Sequence, residues 1–149
     1  MTPKNRKVFL DTSFVFAAVL SPSGGARKLF QLGEAGLVKL FVGPIVLREC
    51  DEVVRRKVPT SLPTLAQLLE IGRVETTSVP TRKMIEIARS IVGYEPDAYV
   101  LADAIMAEPD WFVTHDKVHF LKGHVDPDLD FQIGTPGDLI RSMKDDFRL

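Results

Sequence analysis

The stretch KVFLDTS, residues 7–13, decides how the rest of the sequence is interpreted. Its first four residues, Lys7 to Leu10, form a short apolar run that is typical of a buried strand, and the run ends at Asp11. The residues from Phe14 to Leu20 are apolar and predict a helix that stops at a Ser-Pro-Ser-Gly-Gly turn. A strand that leads through a carboxylate into a helix is typical of an α/β protein.

The same alternation of short apolar runs and helical segments continues along the chain. Further strands are predicted at 37–42, 73–79, 111–114 and 131–133, and further helices at 26–35, 45–56, 65–71, 82–91, 96–108 and from 136 onward. Strands separated by helices imply βαβ units and a parallel sheet. We therefore expect one α/β domain over residues 1–149, a three-layer α/β/α sandwich with a mostly parallel sheet of about five strands.

The overall charge does not indicate a nucleic-acid-binding protein. The net charge is −1, and the hydrophobic fraction of 45% and charged fraction of 26% are ordinary for a globular protein. Any binding to nucleic acid must therefore come from local basic clusters or from bound metal. The candidate clusters are Arg27 with Lys28, and the run Arg55, Arg56 and Lys57.

The single cysteine and the lengths of the apolar runs bear on the compartment. Cys50 has no second cysteine with which to form an internal disulfide, and the sequence shows no signal peptide. No apolar run approaches the roughly 20 residues that span a bilayer. These features predict a cytoplasmic protein with no membrane segment.

Three acids are predicted at one edge of the sheet. Asp11 ends the first strand, Asp116 follows the fourth strand by two residues, and Asp97 lies in the first turn of a helix after Pro96. The carboxyl ends of parallel strands share one edge, and ligands bind in the crevice there. We therefore expect these carboxylates to converge.

A fourth acid, Glu49, lies on the helix after the second strand. Its neighbours on the helix surface include Ile45, Val46 and Val53, so it interrupts an apolar stripe. A buried acid costs several kcal/mol unless another group pairs with it. A divalent cation would do so.

Each acid also has an interpretation that involves no active site. Asp11 could cap the next helix, and Glu49 could pair with a lysine or an arginine. Asp97 could complement the helix dipole, and Asp116 could cap a turn. The case for a site rests on their expected placement at a single edge.

Four convergent carboxylates would repel one another unless a cation lay between them. Mg²⁺ and Mn²⁺ prefer oxygen ligands and keep several water molecules. Such an ion activates water, orients a phosphate and stabilises the leaving oxygen, so that no nucleophilic side chain is needed.

Four segments of the chain resemble the PIN domains, and in particular the toxin-like PIN ribonucleases of bacteria and archaea. The segments are VFLDTS at 8–13, PIVLRE at 44–49, EPDAYVLA at 95–102 and VTHD at 113–116. They span most of the chain, in the order of the family and at roughly its spacing. The resemblance implies a PIN-like fold and a metal-dependent endoribonuclease.

The resemblance also implies roles for individual residues. Asp11, Glu49, Asp97 and Asp116 would hold Mg²⁺ or Mn²⁺ and act in catalysis, and two hydroxyls would orient the carboxylates, those of Ser13 and Thr114. It implies an RNA substrate, commonly a homodimer and, in many relatives, toxin action that a small antitoxin neutralises. Asp103 departs from the family, which often has a small residue there. It lies about 120° around the helix from Asp97, so we expect either an auxiliary site residue or a pairing role.

Two other classes of protein share part of this pattern. A non-catalytic PIN-like scaffold would bind RNA or protein without cleavage, although degenerate copies usually lose some of the acids. A phosphate-transferring enzyme of the haloacid dehalogenase type also begins with a strand and an aspartate. Its chemistry normally needs a second acid two residues later, where this chain has Ser13.

Overall fold

The computed structural model describes residues 6–115 and 129–146, and it confirms the predicted α/β architecture. Five strands form one sheet in which every pair is parallel, in the order β3-β2-β1-β4-β5. Their bounds are β1 Arg6–Leu10, β2 Val38–Val42, β3 Glu75–Thr76, β4 Trp111–Val113 and β5 Gln132–Gly134.

Seven α-helices of the described residues flank the sheet, as a three-layer α/β/α sandwich requires. Their bounds are α1 Thr12–Leu20, α2 Gly25–Glu34, α3 Pro44–Lys57, α4 Leu62–Ile71, α5 Arg82–Ile91, α6 Glu95–Ala107 and α7 Pro136–Asp146. A single 3₁₀ turn, Pro59–Ser61, joins α3 to α4. Gly36 follows α2 with a φ of 78°, the left-handed conformation that glycine adopts readily after the end of a helix.

The centre of the core is β1, which is covered on both faces. Val8, Phe9 and Leu10 have no exposed surface, which explains why the strand is continuously apolar rather than alternating. The Phe9 ring stacks on that of Phe112 in β4, with 5.6 Å between the centroids. This packing joins two residues that are paired in the register of β1 and β4.

The third strand is much shorter than predicted. The sequence suggested 73–79, whereas only Glu75–Thr76 pair with β2. Arg73 has a φ of 54°, so the chain is still leaving α4 at this point, and the strand side chains are exposed. An edge strand with no buried face has little packing to extend it.

The strand order reverses at β1, and this places a crevice at its carboxyl end. From β1 the chain first builds β2 and β3 on one side, and it later adds β4 and β5 on the other. Ligands of open α/β sheets bind at such a switch point. Asp11 follows β1 there and Thr114 follows β4, and the Asp11 amide donates to the Val113 carbonyl at 3.3 Å.

Across the described ranges, no helix combines the length and the apolar character that a membrane crossing needs.

Candidate active site

Asp11 is a buried carboxylate at the switch point, with 3% of its surface exposed. It is the N-cap of α1, and its Oδ1 accepts a hydrogen bond of 3.0 Å from the Phe14 amide. Asp11 therefore does cap α1, as the interpretation without an active site predicted. The cap also fixes the direction in which the carboxylate faces.

Two hydroxyl groups hold this carboxylate from either side. Ser13 Oγ donates to Asp11 Oδ1 at 2.9 Å, and Thr114 Oγ1 donates to Asp11 Oδ2. Ser13 Oγ in turn accepts a hydrogen bond of 3.2 Å from the His115 amide. These contacts are the ones that carboxylate-orienting hydroxyls would make.

Glu49 lies half-buried on α3, the helix that packs against both α1 and α6. Its Oε1 accepts a hydrogen bond of 3.1 Å from Thr12 Oγ1. Within residues 6–115 and 129–146, no lysine or arginine forms an ion pair with it. Burial raises the pKa of Glu49, the Thr12 hydrogen bond opposes this shift, and the negative charge of Asp97 adds to it.

Asp97 lies in the first turn of α6, after Pro96, and is half-buried. This position does complement the helix dipole. Asp97 lines the same cleft as Glu49, and its negative charge raises the pKa of Glu49. A cation between them would relieve this repulsion.

The three acids line one cleft, although they come from separate parts of the chain. The cleft has a volume of about 270 Å³. Its other walls are formed by Thr12, Ser13, Phe16, Val53 and Val100. Asp11, Glu49 and Asp97 are therefore brought together as the sheet-edge argument expected.

The fourth predicted ligand, Asp116, lies outside the described residues. Among the residues that the structure does describe, no three His, Cys, Asp or Glu side chains stand in a geometry that would hold a metal ion. The donors on the cleft wall are nevertheless all carboxylates and hydroxyls, the oxygen groups that Mg²⁺ and Mn²⁺ prefer. The donor chemistry of the cleft fits such an ion.

Asp103 does not line the cleft and instead binds the start of another helix. It is completely buried, and its Oδ2 accepts a hydrogen bond of 2.9 Å from the Ile45 amide in the first turn of α3. Gly43, the N-cap residue of α3, supplies no side-chain hydrogen bond. The carboxylate of α6 therefore caps α3 from outside. Asp103 has the pairing role that the sequence allowed, but its partner is backbone rather than a cation.

The surroundings of Asp103 are tightly built. Burial raises its pKa to about 6, although hydrogen bonds from the Ile45 and Val46 amides lower it. A Cβ atom on Gly43 would overlap the Asp103 carboxyl group. The glycine is needed at this position because α6 approaches the β2–α3 turn so closely.

Four residues of the cleft were not among the predicted site residues: Thr12, Phe16, Val53 and Val100. Sequence reasoning assigned Thr12 no role, and it placed Phe16 only within the apolar run at 14–20. Phe14 of the same run does lie in the core, where its ring centroid is 5.9 Å from that of Phe30. The α1 helical phase places Phe16 on the α3 side rather than inside. Of the basic groups, Arg27 donates to the Ala18 carbonyl at the end of α1.

No known protein-family model matches the chain, and none of the curated proteins compared with it is a match.

Proposed function

We propose that this chain is a PIN-type endoribonuclease that uses Mg²⁺ or Mn²⁺ to hydrolyse phosphodiester bonds in RNA. One observation carries the proposal: Asp11, Glu49 and Asp97, from three separate segments, line a single cleft at the sheet switch point. The motif resemblance supports it and adds Asp116 as a fourth acid. A carboxylate cleft at this place is suited to a divalent cation and a phosphate.

The residues that would hold the ion are Asp11, Glu49, Asp97 and Asp116. When bound, the ion supplies an activated water and stabilises charge on the phosphate and on the leaving oxygen. The electrostatics of the cleft favour binding of the ion, because the negative charges of Glu49 and Asp97 repel each other without it. Metal binding would favour the ionised form of Glu49, against the effect of burial.

The neighbouring hydroxyls act by orienting the acids. Ser13 and Thr114 hold the two oxygens of Asp11, and Thr12 holds one oxygen of Glu49. These hydrogen bonds orient Asp11 and Glu49 before a substrate binds, which would lower the cost of organising the site. In this proposal Ser13 positions Asp11 through the hydrogen bond that it donates, and a water molecule is the nucleophile.

The wider biological role follows from the resemblance alone. In this proposal the enzyme acts in the cytoplasm as a homodimer, and it is the toxin of a pair in which a small antitoxin neutralises it. Induced expression would then arrest growth, and Asp11→Asn would relieve the arrest. If an enzyme that cleaves RNA leaves growth unaffected, the toxin role is refuted and the nuclease proposal stands.

The direct test is cleavage of RNA by the purified protein. Structured and unstructured RNAs are incubated with Mn²⁺, Mg²⁺ or EDTA, and wild type is compared with Asp11→Asn and Glu49→Gln. We expect cleavage only with metal, and a loss of at least 100-fold in rate for each variant. Glu52→Gln, an exposed acid on the same helix, is the matched control and should retain full activity.

The outcomes separate the nuclease from the alternatives. Cleavage that persists in EDTA or in Asp11→Asn refutes the mechanism. Binding of RNA without cleavage under every condition supports a non-catalytic scaffold instead. Release of inorganic phosphate from small phosphomonoesters, with RNA left intact, supports the dehalogenase-type phosphate chemistry.

A further inference from the structure

Part of the cleft wall is apolar. Phe16 of α1 and Val53 of α3 line it beside the three acids. Phe16 is only half-buried, so part of its ring faces the cleft rather than the core. An aromatic face beside a phosphate-binding site is a surface on which a nucleic-acid base stacks.

This wall continues along one face of α3 to a cation. Glu49, Val53 and Lys57 are each four residues apart, so they follow one another along the helix surface. Lys57 therefore lies about 12 Å from Glu49 along the helix axis. Its ammonium nitrogen is 5.9 Å from the centroid of the Phe16 ring.

Lys57 contacts the Phe16 ring of the cleft, whereas Arg55 and Arg27 are held by other groups. Arg55 forms an ion pair of 2.9 Å with Asp51, and Arg27 donates to backbone carbonyls of α1. In the part of the chain that the structure describes, no carboxylate pairs with Lys57. Its charge is therefore available at the end of a cleft whose other charges are negative.

We propose that Phe16 and Lys57 form a nucleotide subsite, in which a base stacks on the ring and a phosphate binds the ammonium group. The subsite rests on the proposed nuclease function, since the strand would run along α3 from the scissile phosphate at the acids. Only an unpaired base exposes a face for such stacking, because bases in a duplex are covered by their neighbours. The preferred substrate is single-stranded RNA.

Binding tests the subsite independently of cleavage. A fluorescent single-stranded oligonucleotide is titrated into Asp11→Asn protein, which does not consume the probe, and the same titration is repeated with Lys57→Ala or Phe16→Leu added. We expect Kd to rise roughly 5- to 100-fold for Phe16→Leu. For Lys57→Ala, Kd rises and the slope of log Kd against log salt falls by about 0.7.

Matched variants separate the loss of the subsite from a general loss of positive charge or of packing. Arg56→Ala removes an adjacent exposed charge that lies about 100° around the helix, and its Kd should change less than that of Lys57→Ala. Phe16→Tyr keeps the ring and should keep the affinity, which distinguishes lost stacking from lost packing. A probe with an abasic nucleotide at the stacked position should be insensitive to Phe16→Leu.

Each result bears on one proposal. Equal effects of Lys57→Ala and Arg56→Ala, or unchanged binding in Phe16→Leu, overturn the subsite even if the enzyme cleaves RNA normally. Tighter binding of a duplex than of its single strands also overturns it. If wild type never cleaves RNA, and both Phe16→Leu and Lys57→Ala weaken binding, the subsite is supported and the nuclease proposal is refuted.

Discussion

Thr12 donates a hydrogen bond of 3.1 Å from Oγ1 to Oε1 of Glu49, and so joins the start of α1 to the middle of α3. Its neighbours in sequence act in the same cleft: Asp11 presents a carboxylate, and Ser13 donates a hydroxyl proton to it. Three consecutive residues thus organise two acids from different helices. The short turn after β1 is the structural centre of the candidate site.

Removal of the Thr12 hydroxyl should impair the site without unfolding the protein. Thr12→Val keeps the shape but leaves Glu49 Oε1 without this donor, so we expect cleavage or metal affinity to fall roughly 10- to 100-fold. Thr12→Ser keeps the hydroxyl and serves as the control. Rates are measured across a titration of Mn²⁺, and a Thr12→Val enzyme with wild-type metal dependence would contradict this role.

Asp103 should make the stability of the protein depend on pH. Its pKa is raised from 3.8 to about 6, so the folded state binds the proton more tightly than the unfolded state does. Its contribution to stability therefore decreases as pH rises from about 4 to about 6, by up to about 3 kcal/mol. Asp103→Asn keeps an acceptor for the Ile45 amide and loses this dependence.

The measurement is urea unfolding of wild type and Asp103→Asn across this pH range. The variant should gain stability relative to wild type as pH rises, whereas Glu70→Gln, an exposed acid on α4, should follow wild type. A constant difference between Asp103→Asn and wild type at every pH would show that the carboxyl titrates normally.

Gly43→Ala should destabilise the fold because α6 leaves no room for a side chain there. The added methyl group would overlap Asp103, and overpacking of this kind costs about 1–3 kcal/mol. Gly25→Ala is the matched control: it also lies at a helix start, and nothing lies within 4 Å of its added Cβ. Thermal unfolding should show a clear loss for the first variant and none for the second. Equal melting temperatures would refute the close approach.

Cys50 should be unreactive in the folded protein. It is 2% exposed, and burial together with the charges of Glu49 and Asp11 raises its thiol pKa to about 12. Thiolate is the reactive form, so a disulfide reagent at mildly alkaline pH should modify it only after denaturation. Rapid labelling of the native protein, at the rate seen in guanidinium, would contradict the packing of α3.

Hydrophobic patterning was sufficient for most of the fold and for part of the site. Buried parallel strands are continuously apolar, so β1 and β4 were evident, and α5 was predicted at its observed bounds. The length of edge strand β3 was overestimated because its exposed side chains provide little packing to extend its pairing with β2. Asp11, Glu49 and Asp97 were identified because a carboxylate at a strand end or on an apolar stripe is unusual in local sequence.

The sequence by itself therefore determined the alternation of elements, the parallel sheet and the expectation that Asp11, Glu49 and Asp97 lie near one another. The tertiary structure decided the partners: Thr12 for Glu49, the start of α3 for Asp103, and Lys57 for Phe16. The physical reason is the separation along the chain of the residues involved. Periodicity depends on residues that are close together in the chain, whereas these contacts join residues that only the packing of whole helices brings within reach.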